Sequence, residues 1–189
     1  MSPRDHATGR RSRPGLMALQ PVDTAPFRRP SNPIFIWFTI LLFWMLSLLP
    51  WRLWYPAPDL LLLVLVFWSL HEPGRVGFIT AFVLGLLLDV HDGGLLGAHA
   101  LCYTVAVYGA FALHRRLQHF SAWIQTLHMV PVFVVACAIA RLICAWINGE
   151  WEGWDWLWSA LITGALWPVA HVLLFLPQRR FDDADTSVI

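Results

Sequence analysis

Six apolar runs follow one another between residues 34 and 176, and this succession constrains the chain more than any other feature. They cover residues 34–51, 60–70, 76–88, 95–113, 122–147 and 154–176, with little sequence between them. The first is 18 residues without a charge, long enough to cross the hydrocarbon core of a bilayer as a helix. Composition agrees: charged residues make up 13% of the chain and the mean hydropathy is +0.58, whereas a soluble domain carries about 25% charged residues. A chain so poor in charge cannot cover a water-facing surface, so lipid is the expected solvent for its outer face. At 189 residues it is long enough for one domain. The sequence predicts an all-α integral membrane protein, a compact bundle of six transmembrane helices over 33–178. A disordered cytoplasmic extension at 1–32 precedes it and a cytoplasmic tail at 179–189 follows.

The second and third runs are short. The charged turn His71-Glu72-Pro73-Gly74-Arg75 makes them a hairpin. Borrowing flanking residues (57–70 and 75–90) gives two short spans; a re-entrant hairpin is the alternative. Loop charge tests sidedness. With six spans and the N-terminus inside, segments 1–32, 71–75, 114–121 and 177–189 face the cytoplasm and hold eleven of the thirteen arginines. That is the bias expected of inner loops. Residues 1–32, with six Arg and five Pro, lack the apolar surface to offset ordering. The first apolar run ends at Leu49-Pro50-Trp51-Arg52 without a small-residue cleavage site, so it is expected to stay as a span. The outer loops are acidic and aromatic, with Trp51, Trp54, Tyr55, Trp146, Trp151, Trp154, Trp156 and Trp158. Tryptophan favours the membrane interface, and a contact surface for a periplasmic partner is compatible with that placement.

Several chemistries are excluded or disfavoured. Net charge is +1, so no nucleic-acid partner is indicated. Cys102, Cys137 and Cys144 are odd in number and sit inside apolar runs, which reads as small filler in helices, not a disulfide framework. They do not cluster with histidine at metal-ligand spacing, and no metal or cofactor is expected. Ser159 and His171 are 12 residues apart on one run, about 18 Å along a helix axis, so they cannot form a nucleophile–base pair. His99, His128 and His171 read as packed or hydrogen-bonded helix residues. Gly93-Gly94-Leu95-Leu96-Gly97 lacks the lysine of a phosphate loop. No carboxylate lies mid-span, which disfavours an ion path. A catalytic role is therefore not expected.

Two features point to how the helices meet. Arg141 lies about 9 Å inside the outer end of its run, and a charge at that depth must snorkel or pair. A pair with Asp89, at the outer end of the third run, is expected; snorkelling alone is the alternative. Ala81/Gly85, Ala106/Ala110, Ala136/Ala140 and Ala160/Gly164 each have the spacing that lets helices approach closely.

Three blocks carry a family resemblance. The first runs from Pro58-Asp59 through Trp68-Ser69-Leu70 to Pro73-Gly74-Arg75-Val76-Gly77. The second is Gly85-Leu86-Leu87-Leu88-Asp89-Val90-His91-Asp92-Gly93, continuing through Gly97-Ala98-His99 to Leu101. The third is Leu161-Ile162-Thr163-Gly164-Ala165-Leu166-Trp167-Pro168, followed by Gln178-Arg179-Arg180. Together these resemble the MreD family of rod shape-determining membrane proteins, over residues 34–180. The resemblance implies a non-enzymatic subunit of the cell-elongation machinery in the bacterial inner membrane. It would work beside the bitopic protein MreC, the MreB filament and the peptidoglycan synthases, with self-association left open. It also implies a fold similar to the substrate-binding components of energy-coupling-factor vitamin transporters. Gly85, Asp89, Gly93, Gly97, His99, Trp167 and Pro168 carry over as partner or structural residues, joining Arg141. The competing reading is a carrier of that transporter type, with an outward pocket built from His91, Asp92, Glu150 and the tryptophans and a cytoplasmic ATPase module as partner.

Overall fold

The computed structural model describes residues 32–50, 56–117, 120–151 and 153–175, and these form helices joined by turns, with no strand among them. The expected extension at 1–32 (Asn32 apart) and the tail at 179–189 lie outside the described residues, as do Trp51, Arg52, Trp54, Tyr55 and Glu152.

Helix boundaries follow local chemistry. Helix α1 (Pro33–Ser47) starts after Asn32, whose side chain accepts the Ile34 N–H at 3.1 Å. Pro33 occupies the first helical position, where its missing N–H costs no intrahelical bond. Helix α2 (Leu60–His71) starts after Asp59, whose carboxylate accepts the Leu62 N–H at 3.0 Å. Helix α3 (Phe78–Asp92) ends on Gly93 at φ +65°, the left-handed stop that favours glycine. Helices α4 (Ala98–Leu117) and α5 (Ala122–Asn148) are the long ones, and α5 runs through Pro131 unbroken. The sixth apolar run divides into α6 (Asp155–Ala165) and α7 (Trp167–Phe175), bent by 41°. Pro168 sits in the first turn of α7, where it removes no intrahelical bond.

Helix α2 is the axis of the bundle. Every residue from Leu61 to Leu70 is buried, which is the environment that an all-round apolar helix requires. It packs against α1, α4 and α6, while α3 lies on α4, α4 on α5 and α5 on α6. Phe67 also meets Phe175 of α7, ring centroids 5.2 Å apart. Trp68 is fully buried and donates its indole N–H to Thr39 Oγ1 at 2.9 Å, tying α2 to α1. At 12 residues, α2 is about 18 Å long, shorter than a hydrocarbon core.

The outer surface is apolar. Ile79, Trp123, Leu127 and Trp146 are each more than 70% exposed, a surface suited to lipid more than water. Among the described residues, one helix, over Trp123–Asn148, is by itself long and apolar enough to cross a membrane, and only 22% of its most apolar stretch is buried. It is therefore not the sheltered core helix of a soluble fold. The bent α6–α7 pair would add a second span if counted as one.

The small-residue spacings mark the helix contacts. Ala81, Gly85, Ala106, Ala110, Ala136, Ala140, Ala160 and Gly164 are all buried. A Cβ on Gly85 would stand 2.6 Å from Ala100 Cα, so α3 and α4 touch backbone to backbone there. A Cβ on Gly164 would stand 2.6 Å from Val130 Cγ2, where α6 meets α5.

Candidate functional site

The block 85–101 folds into one corner. Gly93 ends α3, the chain turns through Gly97 at φ +101°, and α4 begins at Ala98. Below the turn, Gly85 lets α3 lie directly on the first turn of α4. That approach brings Asp89, 2% exposed, under the N-terminus of α4. Its Oδ2 accepts the N–H groups of Gly97 at 2.9 Å and Ala100 at 3.2 Å. Its Oδ1 accepts the His99 N–H and the His99 ring Nδ1–H, both at 2.8 Å. A carboxylate among the unsatisfied amides and positive dipole end of a helix is strongly held. His99 is thus a hydrogen-bonded helix residue, as the sequence predicts.

The expected Arg141–Asp89 pair does not form. Both Asp89 oxygens are committed to residues 97–100. Those amides are local to Asp89 once Gly85 closes the α3–α4 gap, whereas Arg141 approaches from α5. Arg141 instead lines a cavity of about 520 Å³ at this same end of the bundle. Asp59, His91, Asp92 and His99 are among the other polar side chains of its wall, with the hydroxyls of Ser47, Ser159 and Thr163. Of the residues expected to build an outward pocket, His91, Asp92 and Trp156 do line it. Glu150 and Trp151 line a small neighbouring recess with Arg141 instead.

Asp59 was not singled out from the sequence, yet it organises the opposite wall. Besides capping α2, its two oxygens accept the Tyr103 hydroxyl of α4 at 3.0 and 2.8 Å. Its backbone N–H donates to Thr163 Oγ1 of α6 at 2.8 Å, and Ser159 donates to the Ala57 carbonyl at 2.6 Å. One aspartate therefore joins α2, α4 and α6. An aspartate directly before an apolar run is a helix-start signal, so its capping role was readable, but its reach to α4 and α6 was not.

Trp167 and Pro168 lie away from this corner. Trp167 is fully buried against Phe67 and Phe133 and donates its indole N–H to Gln125 Oε1 at 3.3 Å. Gln125 in turn donates to the carbonyls of Leu117 and Phe120 at 3.0 and 3.1 Å. The start of α7 thus fixes the turn between α4 and α5. His171 packs on Phe175 nearby, and His128 hydrogen-bonds the Ile124 carbonyl through Nδ1 at 2.9 Å. The site residues predicted from sequence therefore divide into the 85–99 corner, the cavity wall at Arg141, and the Trp167 core.

The 85–101 corner and the Trp167 core both lie inside a stretch that known proteins share. The family model described as rod shape-determining protein MreD matches residues 29–176. The chain is 31% identical over 150 residues to the rod shape-determining protein MreD of Haemophilus influenzae, covering 76% of this chain and 93% of that protein. No solved structure matches. The match takes in every described helix, and the chain belongs to the MreD family of rod shape-determining proteins.

Proposed function

We propose that this chain is a non-enzymatic inner-membrane subunit of the cell-elongation machinery. Six spans form a compact bundle of the kind found in energy-coupling-factor substrate-binding components, with both termini in the cytoplasm. The distribution of arginine supports that sidedness. The bundle scaffolds a bitopic MreC-type protein and, directly or through it, MreB filaments and peptidoglycan synthases.

The observation that carries this reading, given the family, is the α3–α4 corner. Gly85 and the fourfold-bonded Asp89 hold α3 rigidly against α4. The far face of α3 then presents Ile79, Val83, Leu87 and Val90, all exposed, at helical spacing. That stripe is a fixed apolar track for a partner's single membrane helix, whose packing needs shape complementarity because lipid supplies no hydrophobic drive.

The 520 Å³ cavity favours a second reading, a small-molecule carrier, since binding sites for such ligands fall in this size range. Purification from native membranes in mild detergent, with mass-spectrometric identification of what comes along, separates the two. A bitopic MreC-type protein in near-stoichiometric amount is the expected result. An ATPase pair with a coupling subunit, and no such bitopic protein, would make the chain a carrier.

A further inference from the structure

Cys102 of α4 and Cys137 of α5 face each other with their sulfurs 3.2 Å apart. Both line the large cavity. Ala106, one turn after Cys102, and Ala136 and Ala140, flanking Cys137, are buried and bring the two helices close. A disulfide needs a bond of about 2.05 Å with its side chains already facing, so only a small shift separates this contact from a bond. Cys102 is buried and Cys137 is partly exposed. Cys144 stands elsewhere, on the wall of the small recess beside Glu150.

The cavity lies where α1–α2, α3–α4 and α5–α6 connect. On the topology proposed above, on which this inference rests, that end faces the oxidising outer compartment. Its volume admits a small molecule and excludes a folded oxidase.

We propose that Cys102 and Cys137 are a redox-active thiol pair, oxidised through the cavity by low-molecular-weight disulfides. The Cys137 thiolate attacks one sulfur of the incoming disulfide, forming a mixed disulfide and expelling one thiolate. Cys102 then gives its proton to the thiolate already expelled, attacks Cys137 Sγ and expels the second. Two protons leave the cysteines and two small thiols are released, so the disulfide reagent is the species reduced. The product is a covalent link between α4 and α5 in the cavity wall, and it fixes the width of that wall. Reduction by a small dithiol reverses it.

The test uses the full chain in sealed membrane vesicles of right-side-out and inside-out orientation. Each is treated with glutathione disulfide, quenched in acid, alkylated and analysed by intact and peptide mass spectrometry. Right-side-out vesicles are expected to yield a Cys102–Cys137 cross-linked peptide, a mass lower by two hydrogens, and alkylation at Cys144 alone. The Cys144→Ser variant keeps the cross-link. Cys137→Ser abolishes it, and Cys102→Ser stalls at the mixed disulfide with glutathione on Cys137. Three alkylatable thiols in both vesicle types, or a cross-link through Cys144, would overturn the pair. A cross-link formed only in inside-out vesicles would leave the pair standing and overturn both its outward access and the proposed topology.

Discussion

Replacing Gly85 with alanine adds one methyl group at the closest helix crossing in the bundle. Its Cβ would meet Ala100 Cα at 2.6 Å, Ala100 N at 2.7 Å and the His99 carbonyl carbon at 2.9 Å. These are backbone atoms, so no side chain can swing aside. Relief to ordinary contact, 3.4 Å or more, requires α3 and α4 to separate by about 0.8 Å. The longest of the Asp89 bonds, from the Ala100 N–H at 3.2 Å, would be carried past the hydrogen-bond limit, while the Asp89 side chain can follow α4 and keep the shorter ones. Overpacking alone costs about 1–3 kcal/mol. Losing one bond to a buried carboxylate adds about 1.5 kcal/mol more, so a total of about 3 kcal/mol is expected. The assay is thermal unfolding of purified protein in mild detergent, followed by the loss of its monodisperse peak in size exclusion. Gly94→Ala serves as control, because a Cβ there meets nothing within 4 Å and its φ is not positive. Gly85→Ala is expected to melt well below both wild type and Gly94→Ala, and to fail in restoring rod shape to cells lacking the protein. Equal melting of the two variants would refute the backbone contact and the rigid corner built on it.

Asp89→Asn should be nearly as damaging, at about 2–4 kcal/mol in the same unfolding assay, because either amide orientation turns an NH2 toward backbone N–H donors. Exchanging Asp89 and Arg141 should give no rescue in that assay, since the two do not pair. Tyr103→Phe removes the hydroxyl that both Asp59 oxygens accept. It should cost about 1.5–3 kcal/mol and be readable as lowered stability with the bundle still assembled. The three atoms nearest a Cβ on Gly109 all belong to the Val132 side chain, the first at 2.7 Å, so unlike Gly85→Ala the defect of Gly109→Ala should be largely corrected by adding Val132→Ala.

Much of the architecture was legible because it depends on which residues are apolar and which are small. The runs at 60–70 and 76–88 became α2 and α3 within a few residues. All eight residues of the small-residue spacings are buried. What escaped was azimuth and partner choice. Periodicity says that Asp89 and Arg141 share an end of the bundle, but not that Gly85 lets α4 present its amides first. An aspartate directly before an apolar run signals a helix start, but nothing linear makes Asp59 a hub reaching Tyr103 and Thr163. Three isolated cysteines looked like filler because nothing in a linear sequence places position 102 opposite 137. Pro168 lies inside the sixth run, and the structure puts the 41° bend just ahead of it.

The central position of α2 has a consequence for biogenesis. Asp59 is synthesised early, but its partners Tyr103 and Thr163 follow 44 and 104 residues later. A nascent chain stalled after α3 would leave that carboxylate without Tyr103 and the Asp59 backbone N–H without Thr163, at the start of a helix too short to cross lipid comfortably. The axis of the bundle therefore gains its bond to Thr163 only after α6 has been made, although its larger contacts, with α1 and α4, are complete before then.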